Sequence, residues 1–306
     1  MGKTRLRDHL LAFTTIFIWG LTFLSTKSLG SHLSSLEILF GRYLIAYTVL
    51  WVMCPKPFFF QGWKKEGFLF AAALSGAAVY QYLENLSVSY TSPASVSFIA
   101  ATAPIFTALL AHRFLGEKVT AKTIIGMLVS LLGVFFICFG DSKNAETGMI
   151  GDLIILGSIW LWAVYSVLVK KIAEFGFHQL QQTRRLFLYS LVCMLPFMLF
   201  QKNSGLLSAF FLKESLFHLV FLGVFASALC FAGWNHAVEK LGATTTSKYL
   251  FIMPLITLIG QALYNQNALG KEALLGMAVT LLGIGISEFS LRRKEIQKRQ
   301  KNYKFF

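Results

Sequence analysis

Charge is scarce in this 306-residue chain: Asp, Glu, Lys and Arg make up 14% of it, against about 25% in a typical soluble domain. A soluble protein of this length buries its apolar residues in one or two cores and coats the outside with charge. That coat is missing, which excludes a soluble fold and leaves lipid as the solvent. Acidic residues are the scarcer sign, 14 against 28 Lys and Arg. In a soluble chain the resulting net +14 would point to nucleic acid. In a membrane chain the position of the charge matters more than its sum, and no nucleic-acid partner is expected. Cysteine is rare too. Cys54, Cys138, Cys193 and Cys230 lie in or at the ends of apolar runs, with no CxxC and no Cys/His cluster, so they read as small apolar residues. His9, His32, His112, His178, His218 and His236 offer no HExxH zinc spacing. No GxxxxGK loop and no GxSxG elbow is present, which argues against nucleotide-driven work and hydrolysis by this chain alone. No metal, cofactor or catalytic residue is expected, and the chain does not read as an enzyme.

What is abundant is apolar: 56% hydrophobic residues and 30 Phe, with a mean hydropathy of +0.62. Ten apolar runs stand out, at about 10–27, 33–54, 68–86, 93–114, 120–139, 150–169, 182–201, 216–236, 246–264 and 273–289. All are long enough for membrane helices, and none shows the alternation of a barrel strand. The first follows Lys3, Arg5 and Arg7 like a secretory signal, but no small-residue cleavage site follows and nine more runs do. With the N-terminus placed in the cytoplasm, 22 of the 28 basic residues fall in inside segments. Five fall outside (Lys27, Lys143, Lys202, Lys213 and Lys271), and Arg42 lies within a span. The positive-inside rule therefore predicts that both termini are cytoplasmic. The basic tail, 291–306, reads as an anchor against anionic lipid.

A shift of 150 residues aligns Pro104 with Pro254, Thr107 with Thr257, Gly126 with Gly276, Met127 with Met277, Val129 with Val279 and Gly133 with Gly283, and also Asn85 with Asn235. A shift of 143 pairs Trp19 with Trp162, Lys27 with Lys170 and Arg42 with Arg185. The expected fold is all-α: ten transmembrane helices as two five-helix repeats, 8–140 and 150–290. Five is odd, so the second copy enters the membrane from the opposite face. Inverted halves of near-equal energy, rocking about a site at their interface, are how secondary transporters achieve alternating access.

The aromatic-small pair eight residues before a lysine (Trp19-Gly20 to Lys27, Trp162-Ala163 to Lys170), Arg42, the Ser89-Tyr90-Thr91 stretch, Pro104 followed by Gly116-Glu117, and the Gly126 to Gly133 span carry a resemblance. In these the chain resembles the EamA type of the drug/metabolite transporter superfamily, in both halves and over nearly its whole length. The resemblance implies a cavity enclosed by spans one to four and six to nine, with spans five and ten peripheral. It also implies export of amino acids or related compounds. One departure is visible: the second-half counterpart of Glu117 is Asn267.

A charge near a bilayer centre costs at least about 2.5 to 3.5 kcal/mol, so such a residue faces protein or water and finds a partner. Arg42 and Glu84 are therefore the leading candidates, for a substrate carboxylate and a proton; a structural Arg42–Glu84 pair, or an Arg42–Glu37 contact, is the alternative. Arg185, next to Arg184, reads as a topology anchor or as a second substrate contact, and Lys248 as snorkelling or cavity-facing. Trp19, Trp162, Tyr165, Tyr80, Tyr82 and Trp234 are candidates for an aromatic cavity wall or for lipid-interface packing. Asn85 and Asn235 bind substrate or staple helices. Pro104 and Pro254 read as mid-helix hinges or static bends. Gly126, Gly133, Gly276 and Gly283, seven apart in each pair, make faces for close helix packing or homodimer contact. The expectation is a multi-pass protein of the cytoplasmic membrane that moves a small-molecule metabolite, coupled to a proton or counter-solute. Uptake or exchange is the main rival; a membrane enzyme on lipid-linked substrates and a non-transporting receptor or scaffold are the others.

Overall fold

A computed structural model describes residues 3–139, 148–200, 205–210, 212–265, 271–272 and 274–287. The basic tail, Asn267 and Lys143 lie outside the described residues. Within them the chain is a bundle of helices that run alternately between two ends, here called proximal (where the first helix begins) and distal. Helix α1 (Lys3–Leu29) runs to the distal end and α2 (Ser35–Met53) returns. The turn between them is set by a capping box: Ser34 Oγ accepts from Glu37 N at 3.3 Å, and Glu37 Oε2 accepts from Ser34 N at 2.8 Å.

The third pass is α3 (Trp63–Ala72), a π-helical stretch (Ala73–Val79) and α4 (Tyr80–Tyr90). The fourth is α5 (Pro93–Ala100) and α6 (Ala103–Leu115), and α7 (Ala121–Phe139) follows. The second half begins with α8 (Met149–Ala173), α9 (Gln179–Phe200) and the short α10 (Leu206–Ala209). Next come α11 (Lys213–Val220), a second π-helical stretch (Phe221–Leu229) and α12 (Cys230–Leu241). Then follow α13 (Ala243–Ser247), a 3-10 stretch (Lys248–Ile252) and α14 (Met253–Asn265). The last described helix is α15 (Leu274–Ser287).

Seven of these passes are long and apolar enough to cross a bilayer, and α7 and α15 contain shorter apolar stretches. The pass from Trp63 to Tyr90 is long enough but more polar, because Gln81, Glu84 and Asn85 sit in its distal half.

The halves are interleaved rather than side by side. Helix α1 packs on α12 and α14, while α8 packs on α4 and α6; α2 packs on α9 and on the second π stretch, and α9 on the first. Helices α7 and α15 cross where their glycines meet. A Cβ on Gly126 would stand 2.6 Å from Gly283 O, one on Gly283 would stand 2.6 Å from Gly126 O, and one on Gly133 would stand 2.7 Å from Gly276 O. Ser130 Oγ donates to Thr280 O at 3.2 Å, and Thr280 Oγ1 approaches Ser130 O at 3.5 Å. The numbers fall on α15 as they rise on α7, so the two helices are antiparallel.

Two expectations change in placement. Pro104 and Pro254 do not interrupt continuous helices. Each is the second residue of a helix that restarts after a break, at Ala101-Thr102 and at the 3-10 stretch respectively. The first turn of a helix tolerates proline because its N–H groups lack intrahelical acceptors.

Candidate functional site

Between the centre of the bundle and its distal end lies a small cavity. Five of the expected residues line it: Trp19 from α1, Arg42 from α2, Tyr80 and Glu84 from α4, and Trp162 from α8. The distal offset follows from position along each helix: Arg42 is two turns from the distal start of α2, and Glu84 is fewer than two from the distal end of α4. The space open to the centre of a water molecule is about 20 Å³, enough for about one water and too little for a metabolite. A transported molecule therefore requires the walls to move.

Each polar wall group is held by a neighbour. Arg42 donates from Nε to Ser227 Oγ at 2.8 Å, which aims the rest of the guanidinium at the cavity. Glu84 accepts from Tyr80 Oη and Gln81 Nε2, both at 2.9 Å. No ion pair joins Arg42 to Glu84 among the described residues, and the alternative Arg42–Glu37 contact does not form. Glu37 instead accepts from Ser34 and, at 2.7 Å, from Gly205 N. Guanidinium and carboxylate thus face one space from separate supports. Trp19 and Trp162 meet edge to face with centroids 5.4 Å apart, and the Tyr80 and Trp162 rings lie 5.0 Å apart. Trp19 is fixed by donation from Nε1 to Ala226 O at 2.8 Å.

Three candidates lie behind the wall. Tyr165 donates to Asn235 Oδ1 at 2.7 Å, and Asn235 Nδ2 donates to Thr183 Oγ1 at 3.1 Å, so Asn235 staples α8, α9 and α12. Trp234 is fully buried against Trp19 and Trp162, with centroids 5.2 and 5.7 Å away. Asn85 is buried as well, and Tyr82 is half-buried against the core. The anchor reading of Arg184 and Arg185 is corrected, because both are buried in protein contacts. Arg185 pairs with Glu66 at 2.5 Å and donates to Phe59 O at 2.7 Å. Arg184 donates to Cys54 O at 2.5 Å and to Lys56 O. Lys248 does not snorkel: it is 2% exposed, inside the 3-10 stretch.

A model of the EamA-like transporter family matches residues 7–139 and again residues 149–288. The chain belongs to the EamA-like transporter family. It is a multi-pass membrane protein and a transporter. Two uncharacterized transporters of Archaeoglobus fulgidus are 27% and 25% identical to it, over 90% and 83% of this chain and 96% and 87% of their own lengths. The uncharacterized transporter YoaV of Bacillus subtilis is 20% identical, over 91% of this chain and 96% of its own. A crystal structure described only as that of a protein shares the fold. Its TM-score is 0.75 at 17% identity, covering 94% of this chain and 99% of that one.

Sequence reasoning missed five wall residues of this EamA-like transporter: Thr22, Phe23, Gln81, Leu250 and Met253. It also missed Ser227, the support of Arg42. A signal existed for Gln81 and Thr22, polar residues one helical turn from Glu84 and Trp19 on the same faces. For Ser227 the signal was the small-residue run in which it lies. The runs 73–79 and 221–229 are the two π-helical stretches, and π turns cluster at functional sites. Their widened turns free carbonyls: Ala226 O takes the Trp19 bond, and Ala77 O accepts from Tyr43 Oη at 2.5 Å.

Proposed function

We propose that this chain is a secondary transporter of a small zwitterionic metabolite, an amino acid or a close relative, exported across the cytoplasmic membrane by alternating access. The observation that carries the substrate class is the cavity itself. Arg42 offers a fork for a carboxylate, Glu84 a carboxylate for an ammonium group or a proton, and Trp19, Tyr80 and Trp162 an apolar wall between them. The export direction follows the family resemblance.

The proposed architecture is ten spans in two inverted halves, 8–140 and 150–290, with both termini and the basic tail 291–306 in the cytoplasm. Its support is the double family match, the opposed run of α1 and α8, and the antiparallel crossing of α7 and α15 at repeat-matched Ser130 and Thr280. The proximal end is then cytoplasmic, where the basic residues concentrate, and the cavity opens from the outer half.

A thermal-shift screen of the purified protein against metabolites identifies ligands, since binding to the folded state raises apparent stability. Flux of the hits in proteoliposomes then tests transport and its direction; absence of flux for every stabilising metabolite overturns the proposal. Glu84→Gln separates the roles of the carboxylate. The variant is expected to express and to lose the pH dependence of transport, and an unchanged pH profile removes Glu84 from the coupling path.

A further inference from the structure

The connection between α2 and α3, residues 54–62, has no helical structure, yet it is fixed in place. Its first four residues, Cys54-Pro55-Lys56-Pro57, account for the lack of helix, since proline has no N–H to donate and holds the residue before it extended. The carbonyls of Cys54 and Lys56 are left without helical donors, and both accept from Arg184 of α9, Cys54 O at 2.5 Å. Arg185 donates to Phe59 O at 2.7 Å, and Gln61 N donates to Glu66 Oε1 at 3.1 Å. The centroid of the Phe58 ring lies 4.1 Å from the Arg184 guanidinium and 5.0 Å from that of Arg185.

Held this way, the connection turns its other rings outward. Phe59, Phe60 and Trp63 are 68%, 63% and 86% exposed, and the Phe60 and Trp63 rings meet edge to face with centroids 5.1 Å apart. Large apolar groups that are both fixed and exposed mark a contact surface. Trp51, Val52 and Met53, the last turn of α2, are exposed as well. The rings are therefore continuous with the exposed apolar side of that span, and they lie where the span ends, the level at which aromatic rings meet lipid headgroups.

The charge beside the rings has one sign. Lys56 and Lys64 are exposed, and Lys65 is half-buried with its ammonium 5.9 and 5.8 Å from the Phe175 and Phe177 rings. The stretch 51–65 contains no Asp or Glu, and Glu66, the first carboxylate after it, is taken by Arg185. Apolar rings edged with unopposed positive charge at the end of a span match a layer of anionic headgroups. A second copy of the chain matches less well, because a symmetric contact through this patch would bring the same lysines together.

We propose that residues 54–65 are a docking surface for anionic phospholipid. Phe59, Phe60 and Trp63 enter the headgroup layer of the leaflet at the proximal end, and Lys56 and Lys64 hold the phosphates of negatively charged lipids beside them. Arg184 and Arg185 supply the rigidity, by fixing the backbone from which the rings project. The surface requires only that the chain spans a bilayer, so it stands apart from the substrate, direction and coupling of transport.

Quenching of Trp63 by brominated lipids reads both parts of the proposal. Full-length protein is reconstituted in phosphatidylcholine bilayers that contain the same fraction of either brominated phosphatidylglycerol or brominated phosphatidylcholine. The Trp63 signal is the difference in emission between each protein and its Trp63→Phe counterpart. Brominated phosphatidylglycerol is expected to quench that signal at least about twofold more strongly than brominated phosphatidylcholine, and the preference should shrink at high salt, which screens exposed charges. Lys56→Gln combined with Lys64→Gln should abolish the preference. Lys118→Gln combined with Lys122→Gln, the same change of charge on exposed lysines elsewhere at the proximal end, should leave it intact. Quenching by neither lipid overturns the proposal and gives the rings to a soluble partner or a second copy. Equal quenching by both overturns the selection of anionic lipid. A preference that survives in the Lys56 and Lys64 variant, or that is lost equally in the Lys118 and Lys122 variant, overturns the assignment of the headgroup contacts to this segment.

Discussion

At the scale of single residues, the molecule spends its few intramembrane charges on positions where a neighbour fixes their direction. Arg42 shows the pattern: Nε is tied to Ser227, and the remaining donors face the cavity. Arg42→Lys keeps the charge but loses the fork. The expected result is a roughly tenfold or greater rise in substrate KM with expression intact; unchanged KM removes Arg42 from carboxylate binding. Ser227→Ala tests the support. A hydrogen bond to a charged group contributes about 1.5–3 kcal/mol, so melting in detergent should drop by several degrees and KM should rise in the same direction as in Arg42→Lys. The chemistry at this scale was legible in the sequence, because a charge in an apolar run is conspicuous. The partners were not. Neither of the two partners expected for Arg42 is the one it has. Its acceptor lies 185 residues away, on a helix whose rotation depends on the π-helical stretch it belongs to.

Among elements, the breaks matter as much as the helices. The third and eighth passes widen into π turns, and the fourth and ninth restart behind Pro104 and Pro254. The sequence located the prolines but placed them in mid-helix; it is the chain ahead of each that leaves α geometry. The π stretches were not read, since runs such as Ala73-Leu74-Ser75-Gly76-Ala77-Ala78-Val79 carry no breaker that separates a π turn from an α turn. Tertiary packing selects it: a Cβ at Gly76 would collide with the Tyr165 ring. The crossing of α7 and α15 is the opposite case, a contact written openly in glycine spacing. Gly133→Val would drive a branched side chain into Thr280 and the Gly276 carbonyl, and overpacking costs about 1–3 kcal/mol. A lowered melting temperature in detergent is expected, whereas Gly157→Val, with nothing within 4 Å of its Cβ, should melt close to the unmodified protein.

For the molecule as a whole, the glycine faces of α7 and α15 are occupied by each other within the chain. Paired cysteines at positions 130 and 280 (S130C, T280C) should form a bond within one chain, detectable as a monomer with altered mobility on a non-reducing gel; a disulfide-linked dimer would reassign that face to contact between copies. Composition alone determined that this protein lives in a bilayer, because a chain with so little charge cannot be wetted by water, and the repeated motifs determined that its two halves are variations on one unit. Both are additive properties of the chain, readable without knowing what touches what. Only the tertiary structure decided which of the repeated residues face a cavity. Trp19 and Trp162 share the centre, Arg42 faces open space while Arg185 is locked to Glu66, and Glu84 lines a wall whose mate Trp234 is sealed. The reason is physical. A symmetric sequence has no way to say which half is open, and that asymmetry arises from the packing between helices.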